Sequence, residues 1–173
     1  MTVDVRVVIH RTPEILRAID EMTKTRVMVG IPAAKKDRKE KTPANNALIG
    51  YVHEHGSPAK HIPPRPWLRP GVKNAVPSVI RALKVLGKAS LAGDKVAVDQ
   101  GYHAVGLLLQ NAVRAKISSN IQPPLAASTI RNRRRRSAGS KYRRKATTAA
   151  DTRTLVDTGQ LRNAITYIVR KVP

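Results

Sequence analysis

Between Leu48 and Pro70 the chain reads LIGYVHEHGSPAKHIPPRPWLRP, a stretch that limits the possible folds more than any other. Its first part suits a short helix. Past Gly56 and Ser57-Pro58 it becomes an extended strap over residues 56–70. Pro63, Pro64, Pro66 and Pro70 fix φ and supply no backbone donor, so neither a helix nor a central strand is expected to run through it. The strap nevertheless carries Ile62, Leu68 and the chain's single tryptophan, Trp67, all of which gain from burial. Arg65 and Arg69 are interleaved with them. A stiff apolar segment of this kind is suited to docking, either on the edge of its own core or on a neighbouring subunit.

A chain of 173 residues is read as one domain spanning 1–173. Phenylalanine is absent, so aliphatic residues and alanine must fill the core. Lys and Arg number 33 against 11 Asp and Glu, a formal charge of +22. That imbalance points to polyanionic partners and carries no information on fold. With no cysteine, disulfides and cysteine-based metal sites are excluded. Apolar runs fall short of membrane-spanning length, and the N-terminus alternates where a signal peptide would be continuously apolar. The expectation is a soluble protein made in the cytoplasm, with no membrane partner.

Val3, Val5, Val7 and Ile9 alternate with other residues, the pattern of a half-buried strand. Thr12-Pro13-Glu14 opens a helix whose apolar stripe is Ile15, Leu16, Ile19 and Met22. RVMVGI (26–31) reads as a second strand, and residues 32–43 as a flexible basic loop. A short helix is expected over Asn45–His55. Val76, Val79, Ile80, Leu83 and Leu86 recur at helical spacing, with Gly87 weakening the end. A second long helix runs from about Asp94 to Ser118 along Val98, Tyr102, Val105, Leu109, Ala112 and Val113, and Pro123-Pro124 closes it. Near the C-terminus Asp157 reads as a helix cap, with Gln160 completing a capping box and Gly159 in the turn. Residues 166–172 read as a closing strand. The fold class is therefore α+β: a small antiparallel sheet packed on two longer helices, with the strap and a basic arm attached.

The arm covers residues 131–150. In RNRRRRSAGSKYRRK, nine of fifteen residues are basic: Arg131, Arg133, Arg134, Arg135, Arg136, Lys141, Arg143, Arg144 and Lys145. Arginine clusters clamp phosphates or carboxylates, and self-repulsion is expected to keep such a block extended when free. DNA contact, docking on an acidic neighbour and a solvated loop are the three readings.

Other motifs weigh less. His53-Glu54-His55, with His61 nearby, suggests a metal site, but histidines at i and i+2 point about 200° apart on a helix. A helix C-terminus ended by Gly56 accounts for them more simply. Asp157-Thr158-Gly159 matches an aspartic-protease triplet. Only 14 residues follow it, too few for the barrel of a retroviral-type enzyme. Gly87-Lys88-Ala89-Ser90 departs from the phosphate-loop pattern at Ala82 and Ala89. No enzyme and no cofactor are expected.

Two motifs carry a family resemblance. One is a helix ending in a His-Glu-x-Gly turn followed by I-P-x-R-P-[FW]-L-R-P, present here from His53 to Pro70. The other is L-x-D-T-G-x-L-x-x-[AS]-I followed by a strand, present as Leu155, Asp157, Thr158, Gly159, Leu161, Ala164 and Ile165. Together they resemble the small neck and tail-completion proteins of tailed bacteriophages; the basic arm departs from that pattern. The resemblance implies a virion structural protein at the head–tail neck. Its partners would be copies of itself in a ring (hexameric as first expectation, dodecameric as the alternative) and adjacent connector and tail-tube proteins. Genomic DNA would pass through the lumen. A basic nucleic-acid-binding protein that uses residues 131–145 is the competing expectation.

Overall fold

The computed structural model describes residues 11–35, 37, 44–138 and 153–172, with side chains of 136–138 excepted. The expected strand at Val3–Ile9, most of the basic loop, the side chain of Arg136, and Lys141, Arg143, Arg144 and Lys145 lie outside the described residues. In chain order the elements are α1 (Thr12–Thr23), β1 (Thr25–Gly30), α2 (Asn46–His55), α3 (Leu68–Leu91), α4 (Lys95–Ser118), α5 (Ala127–Ala138), α6 (Gln160–Ala164) and β2 (Thr166–Lys171). The class is α+β. A two-stranded antiparallel sheet packs, through α4, on the paired long helices α3 and α4.

The helix pair forms because α3 ends in a turn that chemistry favours. Gly93 takes φ +79°, open to glycine without strain, and the Asp94 carboxylate accepts from the Ala97 N–H at 2.9 Å to start α4. Each helix has 24 residues, about 36 Å of rod. Their approach is close at Gly71, where an added Cβ would lie 2.8 Å from Val113 Cα.

β1 and β2 pair from Thr25↔Lys171 to Gly30↔Thr166. Period two places Val27, Val29, Tyr167 and Val169 on the half-buried face toward α4, and Arg26, Met28, Ile168 and Arg170 on the exposed face. Tyr167 lies across Gly106 of α4, so closely that a Cβ at Gly106 would overlap its ring. Gly106→Ala is therefore expected to destabilise the fold by about 2–3 kcal/mol, measured by urea unfolding; an unchanged midpoint would contradict this packing.

The core gathers Trp67, Val113, Ile117, Ile121, Leu155, Leu161 and Ile165, with Ile49, Leu68 and Val72 packed against it. It joins the strap, the end of α4 and the C-terminal segment.

Four expectations are corrected. The extended strap ends at Trp67: Leu68, Arg69 and Pro70 form the first turn of α3, where proline lacks a donor that would have no partner anyway. α3 also runs through Pro77 and Gly87 to Leu91. The proximal arm is helical, since Arg131–Arg136 belong to α5; arginine is a good helix former, and Arg133 is anchored as described below. Finally, Gly159, at φ +78°, holds the cap position of α6, and Asp157 sits outside that cap.

Candidate docking site around the strap and the terminal turn

α2 starts at Asn45, whose side chain accepts from the Leu48 N–H at 2.8 Å, and stops at Gly56, φ +80°. Glycine is required at that stop twice over, because a Cβ there would lie 3.0 Å from Ile62 O and Pro64 N. Ser57 and Ile62 then exchange backbone bonds of 2.9 and 3.0 Å around a 3₁₀ turn, Pro58–Lys60, with His61 left-handed at φ 51°. The strap thus leaves α2 through a closed loop and returns along it.

Glu54 is the hinge of this arrangement. It is buried, and its carboxylate reaches from the last turn of α2 to the start of α3. Oε2 accepts from the N–H groups of Trp67 (2.7 Å) and Leu68 (2.8 Å), and Oε1 from Arg69 (3.1 Å). Pro70 has no N–H, and Gly71 N–H already donates to Trp67 O at 3.2 Å. Every N-terminal donor of α3 is therefore satisfied, in a region where an unmet donor is costly. The negative charge also sits at the positive end of the α3 dipole.

The strap residues expected at an interface divide. Trp67 is 3 % exposed, its ring lies against Gly50, and its Nε1–H donates to Gly50 O at 3.0 Å. Arg65 is also buried: its N–H donates to His53 O, Nε to Pro123 O (2.8 Å) and Nη2 to Pro124 O (3.0 Å), across the cis Gln122–Pro123 bond. Both side chains serve their own subunit, since the carbonyls that match Arg65 and the pocket that fits Trp67 lie in the same chain. Ile62 and Leu68 are half-buried and Arg69 is exposed.

The arm divides in the same way. Arg133 is buried, its guanidinium inside a ring of carbonyls: Nη1 donates to Arg153 O (2.7 Å) and Val156 O (3.2 Å), Nη2 to Thr154 O (3.5 Å). Asp157 stands 3.7 Å from its Nε. Arg133 is thus withdrawn from any polyanion and ties α5 to the terminal turn. Arg131, Arg134 and Arg135 remain exposed.

Between strap, α5 and terminal turn lies a cleft of about 410 Å³, bordered by His53, Arg65, Arg133, Thr154, Asp157 and Thr158. The two segments that carry the family resemblance are therefore opposite walls of one site. His53 is held below its ordinary pKa of 6.5, first by burial, then by the positive fields of Arg65 and Arg133. Its neutral folded form makes the unfolded chain the better proton acceptor. His53's contribution to stability should be fully present from about pH 7 upward and be lost as pH drops below 6.5 toward the lowered value. His53→Gln should flatten that acid limb in urea titrations at successive pH values; an unaltered slope would contradict it.

His55 stacks on Tyr51 at 4.4 Å between ring centres. Among the described residues, no group of three or more His, Cys, Asp or Glu is placed to hold a metal ion. Away from the cleft, His103 Nδ1 lies 3.1 Å from Tyr167 Oη, and its Nε2 3.9 Å from Asp99, beyond hydrogen-bond range. Among the described residues, no helix is long and apolar enough to cross a membrane.

Sequence reasoning missed Glu54 and Arg133 as the fixings of this site. Donor counting across WLRPG was the available signal for an external acceptor; nothing local signalled the carbonyl ring around Arg133. Neither a protein-family model, nor a curated protein, nor a solved structure matches the chain.

Proposed function

We propose that the chain is a structural subunit of a tailed-phage virion, joining or completing the tail at the head–tail neck as a member of a ring, without enzymatic activity. On this reading it assembles in the host cytoplasm, its neighbours are connector and tail-tube proteins, and DNA passes through the lumen. The resemblance of the strap and the terminal motif suggests the family. The observation that carries the reading is the surface left uncovered. The outer sheet face exposes the cross-strand pair Met28 (44 %) and Ile168 (43 %), α1 exposes Leu16 (60 %), and α2 exposes Tyr51 (64 %). Large apolar side chains left open in this number mark a surface that is covered in an assembly. Among the described residues each strand also has one unpaired edge, and joining unlike edges of successive copies is a heterologous contact that closes by rotation.

With the strap folded into its own subunit, the interface moves to the sheet and α1. Subunits of charge +22 repel, so ring formation should strengthen as salt screens them. Sedimentation and negative-stain imaging of the purified chain at rising ionic strength test this. Closed rings are expected, and Ile168→Asp should leave a folded monomer. A parent chain that stays monomeric at every salt concentration would overturn the reading.

The competing reading, a nucleic-acid-binding protein using the arm, draws on Arg131, Arg134 and Arg135. They are exposed, and none has a carboxylate partner among the described residues.

A further inference from the structure

We infer that α3 carries a polyanion-binding ridge of its own, distinct from the arm, built from Arg69, Lys73, Arg81, Lys84 and Lys88 and suited to the backbone of duplex DNA. The inference rests neither on ring formation nor on the arm.

α3 contains these five cations and no Asp or Glu. All five side chains are exposed. None has a carboxylate partner among the described residues; Arg81 Nη2 alone makes a side-chain bond, to Ser78 Oγ at 3.0 Å. At 100° per residue they fall within an arc of about 120°, and from Arg69 to Lys88 they span about 28 Å of helix axis. Pro77 lies in the same arc and adds no charge.

A solvated helix face normally mixes charge signs, because Glu–Lys pairs at i, i+4 stabilise a helix and like charges there destabilise it. Here Arg69–Lys73 and Lys84–Lys88 are like-charge i, i+4 pairs, and Arg81–Lys84 is a like-charge i, i+3 pair. Such a row persists at a local energetic loss that an anionic ligand would reverse.

The row is carried on a helix supported along its back. Glu54 fixes its N-terminus, and α4 supports its back through the close approaches at Gly71 and Gly101. Cations on a packed rod lose little freedom on binding, in contrast to those on a free chain.

The geometry favours duplex DNA over other polyanions. About 28 Å matches the axial rise of about eight base pairs at 3.4 Å each. No aromatic side chain stands on the ridge, so the stacking that single strands require is missing. The apolar residues Val76 and Leu83 flank the ridge on the side where Met22 of α1 meets Gly87, while Ile80 falls within the arc and, with Pro77, separates Lys73 from Arg81 along the row.

The test measures binding of the full chain to a mixed-sequence duplex of about 20 base pairs across a salt series. The parent is compared with Lys73→Gln/Lys84→Gln/Lys88→Gln, with Lys84→Gln/Lys88→Gln, and with the arm variant Arg143→Gln/Arg144→Gln/Lys145→Gln. Thermal melting confirms that each remains folded. The slope of log affinity against log salt should become shallower by about 2.7 in the triple ridge variant and by about 1.8 in the double variant. The arm variant should keep the ridge's share of the slope. Ridge variants with the parent's slope and affinity would overturn the proposal. So would a parent that binds anionic vesicles or polyglutamate but not the duplex. Particle localisation, which decides the neck reading, does not enter this measurement.

Discussion

Replacing Glu54 by alanine is expected to destabilise the fold by about 3–5 kcal/mol, the largest loss from any single polar side chain described. Three N–H groups at the start of α3 lose their acceptor together, and two of them, on Trp67 and Leu68, lie in or against the core. Charge-assisted bonds are stronger than neutral ones, and orphaned buried donors bear the full desolvation penalty. Glu54→Gln separates the parts. Its amide oxygen can occupy the Oε2 position and keep the Trp67 and Leu68 bonds, but its NH₂ then faces the Arg69 N–H. A loss of about 1.5–3 kcal/mol is expected there. Urea unfolding with an unchanged m-value measures both. An alanine variant within 0.5 kcal/mol of the parent, the size of an ordinary surface change, would show that α3 starts without this carboxylate.

Replacing Trp67 by alanine is expected to cost about 3–5 kcal/mol of the subunit's own stability. The ring is almost fully buried against Gly50 and the core residues Val113, Leu161 and Ile165 belong to the same cluster. Trp67→Phe keeps part of the contact but leaves Gly50 O without the indole donor, so about 1–2 kcal/mol is expected. The two readings of the strap predict different experiments. A strap that anchors a neighbour loses assembly while the isolated subunit melts as before. A strap that closes its own core loses subunit stability first, and assembly follows. The buried ring and the intrachain partners of Arg65 support the second.

The parts of the fold legible in the sequence are those whose signals are local. Asn45 and Asp94 cap their helices through bonds three residues away, and Gly56 and Gly93 take the left-handed turns that end or join helices. The alternation in RVMVGI and the closing segment gave both described strands. What was not legible depended on distant partners. Prolines at 63, 64, 66 and 70 look alike in sequence, yet Pro70 lies within a helix because Glu54, sixteen positions earlier, supplies the acceptor its neighbours need. The arm's charge density suggested extension through repulsion. Repulsion lost at Arg133, where three backbone carbonyls and the nearby Asp157 carboxylate surround the guanidinium. Arg65 is the same case: its partners are carbonyls of Pro123 and Pro124, more than fifty residues away. Buried arginine on backbone carbonyls leaves no pattern in composition or periodicity, and so both residues read as surface charges.

This division bears on the candidate site. The sequence placed the strap and the DTG turn as separate features, one for docking and one for capping. Folding makes them two walls of one cleft that share a core, with Arg65 fixing the strap to Pro123 and Pro124 just before α5 and Arg133 fixing α5 to the terminal turn. The adhesive surface of the proposed assembly is then the sheet face around Met28 and Ile168, whose exposure follows from register and not from any motif.

Electron cryomicroscopy of intact phage particles that encode this chain tests the proposed role most directly. The account predicts a closed ring of subunits at the head–tail junction, with the α3–α4 hairpin resolved in each copy and Trp67 inside its own subunit. Joined, complete particles that contain no copy of the chain at that junction would contradict it.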